Sequence, residues 1–438
     1  FSLPAPNPWN SIRSAICLCI YISGRVGDPR PRPWSFDGAK CGDYPGELCA
    51  ALFEGKPAAA LIGAECQKLH RPDPFDPFDP DRPFNCSRLV HEHHYITQPL
   101  SREEADFPLA YILTVHKDLQ TLEWLFRGLY MPQNVYCIHV DNKTSREFKR
   151  GVRMLAGCFD NVFLASKWER VVYGGFSRLQ ADVNCMQDLI VSPVRWKYVI
   201  NLCGQDYPLK TNRDIVQTLK NQWKDKNITP GILQPSHMRH RTAHVHREYI
   251  SPQEAYVIKT RTKKGDAVPH GLKLYFGSAY YALTAEFVHF VLKDQRAKDL
   301  LRWSRDTYSP DEHYWVTLNR IADAPGADPN AEWEGSIRSI KWVDQAKKYH
   351  NGCKGHYVRS ICVYGLGDLQ WLAQKDSLFA NKFEVNKYPL AAQCMEWWLR
   401  PKMLSQSKVP PREECSSVLG LADIPPEKRF GYKVCQST

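Results

Sequence analysis

The fold is decided by the stretch that begins Leu109-Ala-Tyr-Ile-Leu-Thr-Val115 and ends Val135-Tyr-Cys-Ile-His-Val140. Both runs have the length and the apolar composition of buried strands. Between them Asp118 can cap a helix, whose apolar residues follow at helical spacing as Leu119, Leu122, Leu125, Phe126 and Leu129. Strand, helix and strand in this order predict a βαβ unit.

The same pattern recurs further along the chain. Asn161-Val-Phe-Leu-Ala165 and Lys197-Tyr-Val-Ile-Asn-Leu202 predict two more strands, with a helix from about Gly175 to Ile190 between them. Repeated units of this kind predict an α/β sheet that is covered by helices on both faces.

Polar residues follow the predicted strands at their carboxyl ends, where ligands bind to open α/β sheets. They are His116, Asp141 and Asp206. A turn or capping role is an equally good interpretation of each. Further along, Lys273-Leu-Tyr-Phe-Gly-Ser-Ala-Tyr-Tyr-Ala-Leu283 predicts one strand, in which Gly277-Ser278 allows a ligand to approach the backbone.

The sequence predicts a stem over residues 1–105, a folded α/β domain over residues 106–400 and a tail over residues 401–438. Proline-rich runs at Asp28–Pro33 and Pro72–Pro80 favour extended chain in the stem. The apolar run Ala15–Ile22 is too short to span a bilayer and is interpreted either as the remnant of an anchor or as a segment foreign to the native protein. Cysteines in the stem suggest that disulfides attach part of it to the domain.

The composition indicates a globular protein of the secretory pathway. The 438 residues are 43% hydrophobic and contain 15 cysteines without a C-x-x-C pair. Sequons for N-glycosylation occur at Asn85, Asn142 and Asn227. The net charge of +11 is scattered along the chain, so no nucleic-acid-binding module is predicted.

Two interpretations are open for Glu312 within Asp306-Thr-Tyr-Ser-Pro-Asp-Glu-His-Tyr-Trp315. Ser309 followed three residues later by Glu312 is the pattern of a capping box at the start of a helix. Alternatively, the carboxylate acts in catalysis. The His/Arg-rich segment His237–Arg247 predicts a solvated loop rather than a metal site, because no acidic or cysteine partner has supporting spacing.

No metal site is predicted, since the chain's D-x-D motif, Asp79-Pro-Asp81, lies in the proline-rich stem. In a protein that binds phosphate groups without a metal ion, fixed cationic side chains can neutralise the phosphate oxygens. Arg359 and Lys382 are candidates, although spacing alone favours two ordinary surface cations.

Four long motifs, in order, resemble the β1,6-N-acetylglucosaminyltransferases that make core 2 and I-type branches. They are Met131–Asp141, Trp196–Pro208, Tyr308–His313 and Ile361–Leu369. The resemblance runs from about residue 49 to about residue 400. It implies a GT-A-type fold with a mixed central sheet flanked by helices, and a lumenal domain anchored in the Golgi membrane. It also implies metal-free transfer from UDP-N-acetylglucosamine, with inversion, to galactose or N-acetylgalactosamine on O-glycans.

The same resemblance implies a role for each matching residue. Glu312 resembles the general base that deprotonates the acceptor. The UDP-binding residues would be His116 and Asp141 at the uridine and Arg359 and Lys382 at the diphosphate. Arg241 and Trp342, with Glu312, would hold the acceptor.

Two departures from the core 2 enzymes concern the acceptor side. Met238 stands where they have a lysine, and Asp344 where they have a tyrosine. The chain therefore resembles a less characterised, divergent member of the family. Two alternatives stay open: a xylosyltransferase-like enzyme that uses UDP-xylose, and a catalytically silent protein that binds glycans or UDP.

The resemblance also implies a set of disulfides. The expected pairs are Cys49 with Cys394, Cys86 with Cys158, Cys137 with Cys185, and Cys353 with Cys362. Cys203 would then be a free thiol near the site. The pairing of the other cysteines is left open; they are Cys17, Cys19, Cys41, Cys66, Cys415 and Cys435.

Overall fold

The computed structural model describes residues 45–68, 78 and 83–408. The α-helices are α1 (Pro45–Phe53), α2 (Pro57–Lys68), α3 (Cys86–Glu92), α4 (Arg102–Ala105), α5 (Leu119–Leu129), α6 (Arg146–Ala156), α7 (Phe176–Leu189), α8 (Asn212–Gln217), α9 (Ala285–Lys293), α10 (Gln295–Trp303), α11 (Tyr314–Leu318), α12 (Leu369–Ala373) and α13 (Pro389–Ser405). The strands are β1 (Leu109–Val115), β2 (Val135–Val140), β3 (Val162–Leu164), β4 (Tyr198–Cys203), β5 (Asp206–Pro208), β6 (Gly231–Leu233), β7 (His244–Ile250), β8 (Ala255–Lys263), β9 (Tyr275–Gly277), β10 (Ala282–Thr284), β11 (Arg338–Ile340), β12 (His356–Val358), β13 (Ile361–Val363) and β14 (Phe379–Asn381).

A five-stranded sheet in the order β10-β4-β1-β2-β3 forms the centre of the fold. Neighbouring strands in this sheet are parallel, except that β10 is antiparallel to β4. The sheet is mixed and flanked by helices, so the α/β prediction of a GT-A-type fold is confirmed. A second sheet has the order β11-β14-β5.

Alternate residues of β1 pack in two separate hydrophobic clusters. Tyr111 and Leu113 pack in a cluster with apolar residues of α5 and α6. Ala110 and Ile112 pack in the other cluster, with residues of α7, α9, α10 and α11. Because successive side chains of a strand point to opposite faces, this division places helices on both faces of the sheet. Burial on both faces of the sheet explains why the apolar run in β1 is continuous.

The helix predicted after Asp118 is confirmed. Asp118 is the N-cap residue of α5, and its carboxylate accepts a hydrogen bond of 3.0 Å from the amide of Thr121. The strands predicted near Asn161 and Lys197 and the helix between them are confirmed as β3, β4 and α7.

Helices α1 and α2, which the sequence analysis did not predict, pack against the domain. Cys49 and Leu52 lie in one cluster with Leu366 and Cys394, and Gln370 donates a hydrogen bond of 3.2 Å to the carbonyl of Glu54. The boundary near residue 105 stays a prediction. Asp28–Pro33, Ala15–Ile22 and most of Pro72–Pro80 lie outside the described residues. Within the described part, no helix is both long and apolar enough to cross a bilayer.

The four expected disulfides are confirmed as Cys49–Cys394, Cys86–Cys158, Cys137–Cys185 and Cys353–Cys362. Cys203 is a free cysteine, as expected. Cys66 is disulfide-bonded too. The remaining cysteines, Cys17, Cys19, Cys41, Cys415 and Cys435, lie outside the described residues.

The prediction of one strand over residues 273–283 is wrong. The segment contains β9, which pairs with β6, and β10, which pairs with β4 in the central sheet. Gly277 permits close approach of backbone rather than of a ligand. A Cβ at this position would lie 2.0 Å from the carbonyl oxygen of Pro230, so any larger residue would push β6 and β9 apart.

The prediction of a loop over residues 237–247 is also wrong in part. Residues Ser236–Arg241 form a 3-10 helix, and β7 then forms an antiparallel hairpin with β8. Polar composition concealed this hairpin because most of its side chains face solvent on both sides.

The sequon at Asn227 does not fit glycosylation of the folded chain. Its side chain is 1% exposed, and its amide nitrogen donates hydrogen bonds to Asn319 (3.0 Å) and to the carbonyl of Pro325 (2.8 Å). A glycan on this nitrogen would break both bonds. Asn85 and Asn142 are exposed, so their sequons stay predicted sites.

Candidate active site

The turn that carries Glu312 does not form a capping box, so that interpretation is wrong. Ser309 has a left-handed backbone (φ 45°), and its side chain makes no capping hydrogen bond. Its amide instead donates a hydrogen bond of 2.7 Å to the carbonyl of Gly174. A 3-10 turn, Pro310–Glu312, follows before α11 begins at Tyr314. The amide of Ser309 is therefore not bonded to the Glu312 carboxylate, as a capping box would require.

Glu312 forms an ion pair with Arg241. The guanidinium of Arg241 also contacts two rings, at 5.0 Å from the centroid of Phe276 and 5.3 Å from that of Tyr308, and these contacts limit its movement. The Glu312 side chain is 31% exposed. Desolvation raises the pKa of Glu312, and the positive charge of Arg241 opposes that rise. A desolvated carboxylate that stays accessible is suited to accept a proton.

A second carboxylate, Asp311, lies beside Glu312 and is buried. One of its oxygens, Oδ1, has no hydrogen-bond partner. Burial first, and then the negative charge of Glu312, raise its pKa to about 7, while Arg178 opposes the rise. Asp311 is therefore partly protonated near neutral pH, although the sequence analysis gave it no role.

This pKa makes the stability of the fold depend on pH. Because the folded state holds the proton of Asp311 more tightly than the unfolded state, the free energy of unfolding falls as pH rises from about 4 to about 7. We expect Asp311→Asn, which cannot ionise, to remove up to about 4 kcal/mol of this loss, since one pKa unit equals about 1.4 kcal/mol. Thermal melts should therefore show a larger Tm gain over the wild type at pH 8 than at pH 5. An equal Tm difference at both values would contradict the prediction, and exposed Asp344→Asn is the control.

His116 and Asp141 follow the ends of the neighbouring strands β1 and β2. Burial, together with the charge of Lys117, lowers the pKa of His116, and Asp141 opposes that effect. The structure therefore brings the two residues together. The carboxylate of Asp141 accepts hydrogen bonds from the ammonium of Lys143 (2.6 Å) and from the amide of Val171 (3.3 Å).

Asp206 has a structural role. It is fully buried, and its carboxylate contacts Arg338 at 3.2 Å, the amide of Cys203 at 2.6 Å and the side-chain amide of Asn381 at 2.8 Å. The turn interpretation of Asp206 is thus the better one, because its acceptor capacity is used within the protein.

Arg359 and Lys382 lie close together, although 22 residues separate them. Arg359 is at the tight turn between β12 and β13, where it and Ser360 have positive φ (51° and 65°). Lys382 follows β14, and its ammonium donates a hydrogen bond of 3.2 Å to the carbonyl of Val358, next to Arg359. Burial lowers the pKa of Lys382, and the charge of Arg359 lowers it further. Two cations in one place favour an anionic ligand.

Tyr173 is a neighbour of both Glu312 and Arg359. The sequence analysis did not identify it. Its ring is 57% exposed and lies 5.1 Å from the guanidinium carbon of Arg359. Burial of its hydroxyl, and then the charge of Glu312, raise the pKa of Tyr173. Glu312 and Arg359 are therefore both neighbours of this one side chain.

The remaining acceptor candidates lie on surrounding segments. Trp342 is half-buried and forms a β-bridge with Ile361, two residues after Arg359. Met238 is in the 3-10 helix that ends at Arg241, and Asp344 is exposed. Trp342 thus adjoins the strand that follows Arg359, and Arg241 adjoins Glu312.

One group of potential metal ligands is found among the residues described. It consists of Cys353, Cys362 and Asp368. Because the two sulfur atoms are joined in a disulfide, they are not available as thiolate ligands.

Comparisons with known proteins show which family the chain belongs to. A family model for Core-2/I-Branching enzymes matches residues 109–373, which is more than half of the chain. The chain is 50% identical over 402 residues to the human protein named probable beta-1,3-galactosyl-O-glycosyl-glycoprotein beta-1,6-N-acetylglucosaminyltransferase 7, covering 91% of this chain and 93% of that protein. It is 59% identical over 362 residues to the human N-acetyllactosaminide beta-1,6-N-acetylglucosaminyl-transferase, covering 83% and 86%. It is 41% identical over 336 residues to a human beta-1,3-galactosyl-O-glycosyl-glycoprotein beta-1,6-N-acetylglucosaminyltransferase, covering 74% and 77%. The chain belongs to the family of Core-2/I-branching enzymes.

Proposed function

We propose that this protein is an inverting β1,6-N-acetylglucosaminyltransferase that uses UDP-N-acetylglucosamine and glycosylates O-glycans of glycoproteins. Membership of the family supports the reaction class. The observation that carries the proposal is the accessible carboxylate of Glu312, which forms an ion pair with Arg241. Tyr173 is a neighbour of both Glu312 and Arg359.

In the proposed mechanism, Glu312 accepts the proton of the acceptor's 6-hydroxyl while that oxygen attacks the anomeric carbon of the donor. The bond between this carbon and the diphosphate oxygen breaks, and the configuration inverts. Arg359 and Lys382 neutralise the charge that develops on the departing UDP, as fixed cations do in many phosphate sites. His116 and Asp141 hold the uridine. The proposal assigns this neutralisation to protein cations rather than to a metal ion.

Of the two acceptor sugars, we favour the galactose of an N-acetyllactosamine unit. The chain is 59% identical to the human enzyme named for N-acetyllactosaminide, compared with 50% and 41% for two human proteins named for galactosyl-O-glycosyl-glycoprotein acceptors. Met238 and Asp344 also replace groups that hold the core 2 acceptor. A methionine sulfur is a weak acceptor and donates no hydrogen bond to sugar hydroxyls.

Four disulfides and two exposed sequons support a secretory-pathway compartment. Within it we propose the Golgi lumen, with anchoring in the membrane by an N-terminal helix.

A transfer assay tests the proposal. Radiolabelled N-acetylglucosamine from UDP-N-acetylglucosamine should be transferred to galactose-ended acceptors, and EDTA should leave the rate unchanged within about twofold, because no metal ion takes part. Loss of activity in EDTA that Mn²⁺ restores would contradict the metal-free mechanism. UDP-xylose in the same assay tests the xylosyltransferase alternative. UDP binding by folded protein without transfer from either donor would support the silent binding protein.

A further inference from the structure

A separate cleft of about 650 Å³ lies between α7 and β7. Its lining includes Lys167, Gln180 and Arg305, and contains none of the residues assigned above to UDP or to catalysis. Its volume is in the range of clefts that bind small molecules. We propose that this cleft binds sugar residues of the acceptor glycan that lie beyond the galactose to be modified. The inference rests on the proposed function and names a longer oligosaccharide as its substrate.

The chemistry of the lining fits a neutral ligand that is rich in hydroxyl groups. Positive and negative side chains are equal in number, namely Lys167, Arg247 and Arg305 against Glu169, Glu248 and Asp306. Balanced charge does not select for a phosphate or a nucleotide. Carboxylates, guanidinium groups and the amide of Gln180 together offer both donors and acceptors to sugar hydroxyls. The ring of Phe176 adds an apolar surface.

Internal hydrogen bonds hold several of these groups in place. One oxygen of Glu248 accepts from the amide (2.7 Å) and the hydroxyl (2.8 Å) of Ser177 at the start of α7. Gly175 makes room for it, because a Cβ at that position would lie 2.1 Å from the same oxygen. Gln180 donates to Asn184 at 2.8 Å. Groups that are fixed before binding lose less entropy when a ligand arrives.

A short series of contacts links the cleft to Glu312. His246 lines the cleft, and its ring centroid is 5.7 Å from that of Tyr308. Tyr308 contacts the Arg241 guanidinium, which pairs with Glu312. Asp306 in the cleft and Glu312 are also only six positions apart in the sequence. These contacts place the cleft beside the residues around Glu312, and the proposal is that one oligosaccharide occupies the cleft while its reacting galactose lies at Glu312.

The test compares acceptor lengths in the full chain. Initial rates, expressed per galactose, are measured for a disaccharide and a hexasaccharide of N-acetyllactosamine units. We expect the wild type to have the higher kcat/KM for the hexasaccharide. Replacing Gln180 and Arg305 together by Ala should lower that value by about tenfold, the effect of losing one or two hydrogen bonds, and leave the disaccharide value unchanged. Lys298→Ala, an exposed cation on α10, is the control.

Equal kcat/KM for both lengths in the wild type, or an unchanged length preference in the double variant, would overturn the proposal. If the wild type transfers to neither acceptor, the proposed function fails instead. Calorimetry with the hexasaccharide then tests whether the cleft binds the glycan. Binding that the double variant loses would support the cleft, and equal binding by both proteins would refute it.

Discussion

Glu312→Gln is expected to lower kcat by at least about a hundredfold, which is the lower end of what a general base contributes. Gln is nearly isosteric with Glu, and its side-chain oxygen can still accept a hydrogen bond from Arg241, so the fold around the turn should persist. What it loses is the ability to take the acceptor's proton. The affinity for UDP should stay within about twofold of wild type, because Arg359 and Lys382 are unchanged.

The measurement combines transfer kinetics with calorimetry of UDP binding. Glu286→Gln, an exposed glutamate in the first turn of α9, removes the same charge elsewhere on the domain and should leave both quantities unchanged. Near-normal turnover in Glu312→Gln would exclude the role of general base. A loss of UDP binding together with turnover would indicate that Glu312 supports the donor site instead.

Arg359→Ala and Lys382→Ala should each weaken UDP binding by about 10- to 100-fold, since a hydrogen bond to a charged group contributes about 1.5 to 3 kcal/mol. The lysine lies closer to the protein interior, and its loss also leaves the carbonyl of Val358 without that partner. Arg359→Lys, which keeps the charge but loses the planar guanidinium, should show a smaller loss than Arg359→Ala.

Titration of UDP by calorimetry checks this prediction. Lys375 is a matched control, because its ammonium also contacts an aromatic ring, at 4.4 Å from the centroid of Trp371. Lys375→Ala should bind UDP as the wild type does. Unchanged affinity in both Arg359→Ala and Lys382→Ala would remove these cations from the donor site. The affinity of the wild type should also fall with increasing salt, because the attraction is between charges.

Sequence patterns predicted β1, β2 and β4 well because these strands are buried along almost their whole length. Continuous apolar runs such as Leu109–Val115 have few other structures open to them, and Asp118 marks the start of α5 by its own hydrogen bond. The disulfides came from the resemblance, since spacing alone does not determine which cysteines pair.

Local patterns failed where distant segments decide the structure. Ser309 and Glu312 have the spacing of a capping box. The amide of Ser309 instead donates a hydrogen bond to the carbonyl of Gly174, and the carboxylate of Glu312 forms an ion pair with Arg241. Likewise, the close approach of Pro230 to Gly277 ends β9, and the chain then joins another sheet. Neither partner is close in sequence, so no periodicity could reveal it.

The site itself was predictable only in part. The structure brings His116 together with Asp141, and Arg359 together with Lys382, as the resemblance implied. Tyr173 and Asp311 were missed because their significance lies in their neighbours. An exposed tyrosine is ordinary until Arg359 and Glu312 adjoin it, and Asp311 has an unusual pKa only because the fold buries it.

The hairpin that presents Arg359 is closed by the Cys353–Cys362 disulfide, which joins the segment before β12 to β13. The covalent link limits how far the guanidinium can swing from the site. Glutathione in the cytosol would keep these two sulfurs as thiols and release that restraint. If Arg359 holds the donor diphosphate as proposed, oxidation of Cys353 and Cys362 is part of how the donor is held, and a chain kept in a reducing compartment would bind UDP more weakly.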